Sequence, residues 1–156
     1  MNAIRILLVD DHPLMRLGVR RSLENEAGFT ITGECADLAS ARLWLNDGGK
    51  ADVAILDRSL PDGDGLDIAP LLKAAGMKVI VLTVEDGDDE IRAAVDAGVD
   101  GYLLKSSDSD QITHAIGMVL QDAGAFPPSV VQKLTRSSGE DPLAKLSVRE
   151  LEIAEY

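Results

Sequence analysis

Val53-Ala54-Ile55-Leu56-Asp57, followed by Arg58-Ser59-Leu60-Pro61-Asp62-Gly63-Asp64-Gly65, decides how the chain reads. Four apolar residues in a row, two of them β-branched, predict a short strand buried on both faces. The run ends in a carboxylate, and Pro and Gly then turn the chain. In an open parallel α/β sheet, ligands bind outside the carboxyl ends of the strands. Asp57 sits at such an end. Taken alone it could as well cap the turn that follows, so the other strand ends carry the decision.

Working outward, strand-like and helix-like segments alternate. Strands are predicted near Ile4–Val9, Thr30–Cys35, Val53–Asp57, Lys78–Thr83 and Gly101–Leu104. The first helix opens with Pro13, favoured in a first turn, and turns Leu14, Leu17, Gly18 and Leu23 inward. The second follows Asp37 as N-cap and buries Leu38, Ala41 and Leu45. The third covers roughly 66–75, delayed or kinked by Pro70. The fourth covers about 88–97 and stops at Gly98. The fifth follows Ser107, which pairs with Asp110 as a cap, and carries Ile112, Ile116, Val119 and Leu120 on one stripe. The pattern is (βα)5, which means a doubly wound parallel sheet with helices on both faces.

The chain has 156 residues, 46% of them hydrophobic and 27% charged, with net charge −12. This suits one domain with a real core and an appendage. No apolar run approaches the ~20 residues of a membrane span, and the N-terminus does not read as a secretory signal. The acidic balance argues against holding nucleic acid by phosphate neutralisation. The single cysteine, Cys35, allows no internal disulfide; it fits a reducing cytoplasm and reads as a small core residue.

Four strand ends converge on one edge: Asp10-Asp11, Asp57, Thr83 and Lys105. Carboxylates ~4 Å apart repel by about 4 kcal/mol per pair at an effective dielectric of 20, so the cluster needs a cation or takes up protons. An all-oxygen site with room for water suits Mg²⁺. His12 and His114 fall on different helices and make no zinc set; His12 reads as packing or solvent contact at a helix start.

Val9-Asp10-Asp11-His12-Pro13, Leu56-Asp57 before Leu60-Pro61-Asp62-Gly63, Thr83, and Gly101-Tyr102-Leu103-Leu104-Lys105 together resemble the receiver domain of bacterial two-component response regulators. The resemblance covers about residues 3–122. Leu146-Ser147-Val148-Arg149-Glu150-Leu151 resembles the opening of a LuxR-type helix-turn-helix domain without its recognition helix. It implies a receiver over 1–124, a helical extension and linker over 125–145, and the first part of an output domain over 146–156, the chain being truncated there. It also implies a flavodoxin-like sheet of strand order 2-1-3-4-5.

The family's chemistry implies that Asp57 takes a phosphoryl group from a sensor histidine kinase. Asp10, Asp11, Asp57 and the Ser59 carbonyl would hold Mg²⁺, and Lys105 would pair with phosphoryl oxygens. Thr83 would be drawn to the phosphoryl group and Tyr102 would turn inward behind it. Such a protein is a phosphoacceptor and not a turnover enzyme. It meets DNA only through the missing output domain, has no membrane partner, and leaves room for a homodimer. Val84 stands where the family generally has Ala, Ser or Gly, narrowing access. Arg58 reads as solvated, and Glu85 to Glu90 as a solvated acidic loop and helix start. Two rivals stand beside this reading: a receiver-like binding module that is never phosphorylated, and a doubly wound phosphate-ester hydrolase. The hydrolase would want a carboxylate where Ser59 stands.

Overall fold

The five apolar runs lie side by side in one parallel sheet. The structure, a computed structural model, describes residues 3–26, 28–84 and 87–126. Strands β1 (Ile4–Val9), β2 (Phe29–Cys35), β3 (Val53–Asp57), β4 (Lys78–Thr83) and β5 (Gly101–Leu104) stand in the order 2-1-3-4-5. Helices α1 (Pro13–Glu24), α2 (Leu38–Asn46), α3 (Ala69–Ala74), α4 (Asp88–Asp96) and α5 (Ser109–Leu120) connect and flank them. This is the doubly wound sheet that the alternation predicts, in the flavodoxin-like strand order that the resemblance implies.

Side chains alternate across each strand, and the alternation sorts the core into two layers. On one face Leu7, Val9, Ala54, Leu56, Val79 and Val81 meet Leu38, Ala41, Leu72, Ile91 and Ala94 of α2, α3 and α4. On the other, Ile6, Leu8, Ile55, Ile80 and Leu82 meet Val19, Leu23, Ile112, Ile116 and Val119 of α1 and α5. The three central strands are covered on both sides, which is why they read as unbroken apolar runs. Cys35 is buried at the end of β2.

Local chemistry sets the helix ends. Asp37 caps α2 and exchanges bonds with Ser40 in a capping box, worth about 1 kcal/mol against alanine. Asp62, from the loop after β3, adds its carboxylate to the amides of Leu38 and Ala39 at 2.8 and 3.0 Å. Those amides hold its carboxyl below the usual range. Pro70 sits in the first turn of α3 after a 3₁₀ turn at Gly65–Asp67, so the proline delays the helix and does not kink it. Gly98, at φ 85°, ends α4.

Three local expectations are corrected. Leu14 is 83% exposed and Gly18 is exposed, while Val19 and Leu23 are buried. Leu14 lies nine residues before Leu23, which at roughly 100° per residue is half a turn out of phase. The cap of α5 is Asp108, boxed with Gln111, and not Ser107. Ala125, assigned to the start of a helical extension, instead bridges Gly101 beside β5, with its amide on the Asp100 carbonyl at 3.0 Å. The remaining expectations for 127–156, and those for Glu85 and Asp86, lie outside the described residues.

Candidate functional site

The sheet register brings the functional side chains together. Val9 pairs with Leu56, so Asp10 and Asp57 follow on adjacent strands. Asp57 pairs with Leu82 and Thr83 with Leu104, which places Thr83 and Lys105 on the next two strand ends. The Lys105 amide donates to the Thr83 carbonyl at 2.7 Å, closing β4 against β5 at the edge of the site. Among the described residues the buried polar or charged ones are three: Asp10, Asp57 and Thr83. All three stand at the carboxyl end of the sheet.

Asp57 is 3% exposed. Its Oδ2 accepts from the Lys105 ammonium at 2.9 Å and its Oδ1 from the Ser59 amide at 3.2 Å. Burial pushes its carboxyl pKa up, as does neighbouring Asp10, and the Lys105 contact offsets only part of this. Lys105 also lies 3.6 Å from Asp10 Oδ2. One ammonium therefore serves two carboxylates on neighbouring strands.

Four ligand atoms from Asp10, Asp11, His12 and Asp57 lie within 4.8 Å of one another. Oδ1 of Asp11 is buried and accepts no hydrogen bond, although His12 Nδ1 lies 3.1 Å from it. The three carboxylates, two of them sharing the Lys105 ammonium, form a hard-oxygen donor set compatible with a divalent cation such as Mg²⁺.

His12 stands at a helix start in contact with solvent, as expected, its side chain 59% exposed, and it also meets the acids. It is the N-cap residue of α1, yet its side chain makes no cap bond. The ring turns onto the acids instead, with Nδ1 3.0 Å from Asp10 Oδ1, 3.1 Å from Asp11 Oδ1 and 3.5 Å from Asp57 Oδ2. The expectation for Arg58 is corrected. It is not solvated: its side chain is 15% exposed and bonded to Asp64 and to the Glu90 carbonyl. Sequence reading missed both sets of contacts because the direction of a long side chain depends on partners that no local pattern names.

The remaining residues are placed as follows. Ser59 is exposed in a two-residue strand that pairs back on Gly63–Asp64. Tyr102 is fully buried in the layer under α2, α3 and α4, so the inward position is the one it already holds. Val84 is 74% exposed. Gly65 is a functional residue that the motif contained and the sequence reading passed over. A Cβ there would lie 2.0 Å from the Asp57 carbonyl oxygen, so only glycine lets the loop close on the strand end.

Comparison with known proteins agrees with this geometry. The family model for the response regulator receiver domain matches residues 6–117. The nitrate/nitrite response regulator NarP of Escherichia coli K12 is 38% identical over 155 residues, covering 96% of this chain and 72% of that protein. A LuxR-family two-component response regulator from Aurantimonas sp. SI85-9A1 superposes with a TM-score of 0.77 at 31% identity, covering 89% of this chain and all of that one. RcsB of Salmonella enterica serovar Typhimurium, solved on a promoter with the phosphomimetic BeF₃⁻, gives 0.78 at 27% identity, covering 88% of this chain and 69% of that one. The clustered acidic site is of the kind that phosphoaccepting receivers carry, proteins that are phosphorylated and dephosphorylated without turning over a substrate. Fold, site and relatives lead to one assignment: the chain belongs to the bacterial response regulator receiver family, of the NarL/LuxR type.

Proposed function

We propose that Asp57 is the phosphoacceptor and that a sensor histidine kinase is the donor. An Asp57 carboxylate oxygen attacks phosphorus, the P–N bond to the kinase imidazole breaks, and the imidazole leaves with the electron pair. The product is an aspartyl phosphate. The observation that carries this reading is that, among the described residues, the buried polar or charged side chains are Asp10, Asp57 and Thr83, all at one sheet edge.

Asp10, Asp11, Asp57 and the Ser59 carbonyl would hold Mg²⁺. When bound, the ion supplies positive charge to the transferring phosphoryl group. Lys105, already 2.9 Å from Asp57, neutralises a second side of the site. Thr83 offers a hydroxyl to the phosphoryl oxygens. Tyr102 behind it is then held inward, so phosphorylation selects a conformation the protein already visits. The surface formed by α4, β5 and α5 carries the signal onward, in the cytoplasm, to a DNA-binding output domain beginning near residue 146. No helix among the described residues is long and apolar enough to cross a membrane.

Thermal melts test the metal site. Mg²⁺ is expected to raise the melting temperature of the wild-type chain. Asp11→Asn removes a hard anionic ligand, so its metal-induced shift should shrink or vanish. Its metal-free form should melt at or above the wild-type temperature, because a carboxylate repulsion is gone. An unchanged Mg²⁺-induced shift in Asp11→Asn removes Asp11 from the ligand set.

A further inference from the structure

Arg58 follows the proposed phosphoacceptor directly and reaches two other elements. Nη2 donates to Asp64 Oδ2 at 2.8 Å, and Nε lies 3.4 Å from Asp64 Oδ1. Nη1 donates to the Glu90 backbone carbonyl, in the first turn of α4, at 2.8 Å. Asp64 in turn accepts from the Leu66 amide at 2.9 Å and caps the turn that leads into α3. A single guanidinium thus joins the end of β3 to the starts of α3 and α4. The planar fork of arginine serves a carboxylate and a carbonyl at once, which a lysine ammonium does not do with the same geometry.

The backbone of this anchor is clamped. The Gly65 amide donates to the Arg58 carbonyl at 2.7 Å, and the missing Cβ of Gly65 lets it press on the Asp57 carbonyl. Among the described residues no side chain caps the start of α4. Its N-cap is Gly87, whereas α2 and α5 each carry a full capping box. A cation at a helix N-terminus also opposes the macrodipole, so helix stability does not account for Arg58. The Asp64 hydrogen bond keeps the guanidinium pKa raised against the opposing effect of burial.

We propose that Arg58 is a positioning residue that fixes the first turn of α4 relative to Asp57, so that occupancy of the phosphoacceptor is transmitted to α4 through the Asp57–Arg58–Glu90 chain. The proposal rests on the phosphoacceptor reading above and adds a route of regulation that does not run through Thr83.

Amide hydrogen exchange on the full chain tests it, with Arg58→Lys, Arg58→Ala and Asp64→Asn compared with wild type, each with and without Mg²⁺ and beryllofluoride. In the ligand-free protein, amides of residues 88–96 should exchange about fivefold faster in Arg58→Ala, while those of 53–57 and 78–83 keep their protection. Arg58→Lys keeps the charge but loses the fork, and should fall between wild type and alanine. Asp64→Asn keeps the arginine and frees it from its ion pair, and should loosen α4 less than Arg58→Ala. Beryllofluoride with Mg²⁺ should alter exchange in 88–96 of wild type. In Arg58→Ala that response should be lost even though the ligand still raises the melting temperature. Wild-type exchange in 88–96 of Arg58→Ala, or an intact response there to beryllofluoride, overturns the proposal. A wild-type chain whose melting temperature ignores beryllofluoride overturns the phosphoacceptor reading, and the coupling with it. The ligand-free comparison then still shows whether Arg58 holds α4.

Discussion

Asp57 is held where its charge calls for a cation. Burial and Asp10 disfavour its charged form, and Lys105 alone does not restore it. We propose that access at this scale turns on Val84, which is 74% exposed and therefore packs on little. Attack on phosphorus must be in line, and a β-branched side chain with stiff χ1 beside Thr83 does not swing aside easily. Val84→Ala is expected to speed phosphorylation by acetyl phosphate and to shorten the lifetime of the phosphoryl group. A barrier change of about 1.4 kcal/mol would show as tenfold in rate. Its exposure predicts little change in the melt. Two rate constants at fixed Mg²⁺ check this, and if neither rises Val84 does not gate the site. The carboxylates and Lys105 were legible from sequence because a strand end fixes where they stand. The contacts of His12 and Arg58 were not. His12 has no side-chain cap bond at the helix it begins and turns to acids on two strands, while Arg58 bonds a carbonyl 32 residues away.

At the scale of elements, α2 and β2 are fitted around the one tryptophan of the chain. The register between β1 and β2 slips at Thr32, leaving Gly33 opposite Leu7. A Cβ on Gly33 would lie 2.5 Å from the Trp44 indole nitrogen, and one on Gly49 2.3 Å from its ring and 2.7 Å from the Trp44 carbonyl oxygen. Gly33→Ala meets only a side chain, whereas Gly49→Ala also meets backbone. Both should destabilise by overpacking, within about 1–3 kcal/mol, with Gly49→Ala the worse. Urea melts followed by tryptophan fluorescence give both the ranking and the displaced indole; a neutral Gly49→Ala would contradict this packing. Strand positions were legible because runs covered on both faces leave no phase to choose. The phase of α1 was less so, since Leu14 and Leu23 are both apolar and only tertiary contact tells which one faces the sheet. The slip at Thr32 leaves no mark in hydropathy at all.

Over the whole molecule, two apolar layers hold a parallel sheet whose carboxyl edge gathers charge that the core excludes. Buried carboxylates destabilise a fold unless a cation or a bonded partner answers them, so this edge exists for what it binds. The receiver family was legible because its chemistry sits on strand ends that periodicity alone locates. The path from site to surface was not, because it runs through packing between elements distant in sequence. The central claim is that Asp57 takes a phosphoryl group in a Mg²⁺-dependent step. Intact mass measured after incubation with acetyl phosphate tests it most directly. The account predicts a gain of about 80 Da, the mass of one phosphoryl group, with Mg²⁺ present, no gain with the metal chelated, and none in Asp57→Asn. No gain in the wild-type chain, or an equal gain in Asp57→Asn, would contradict it.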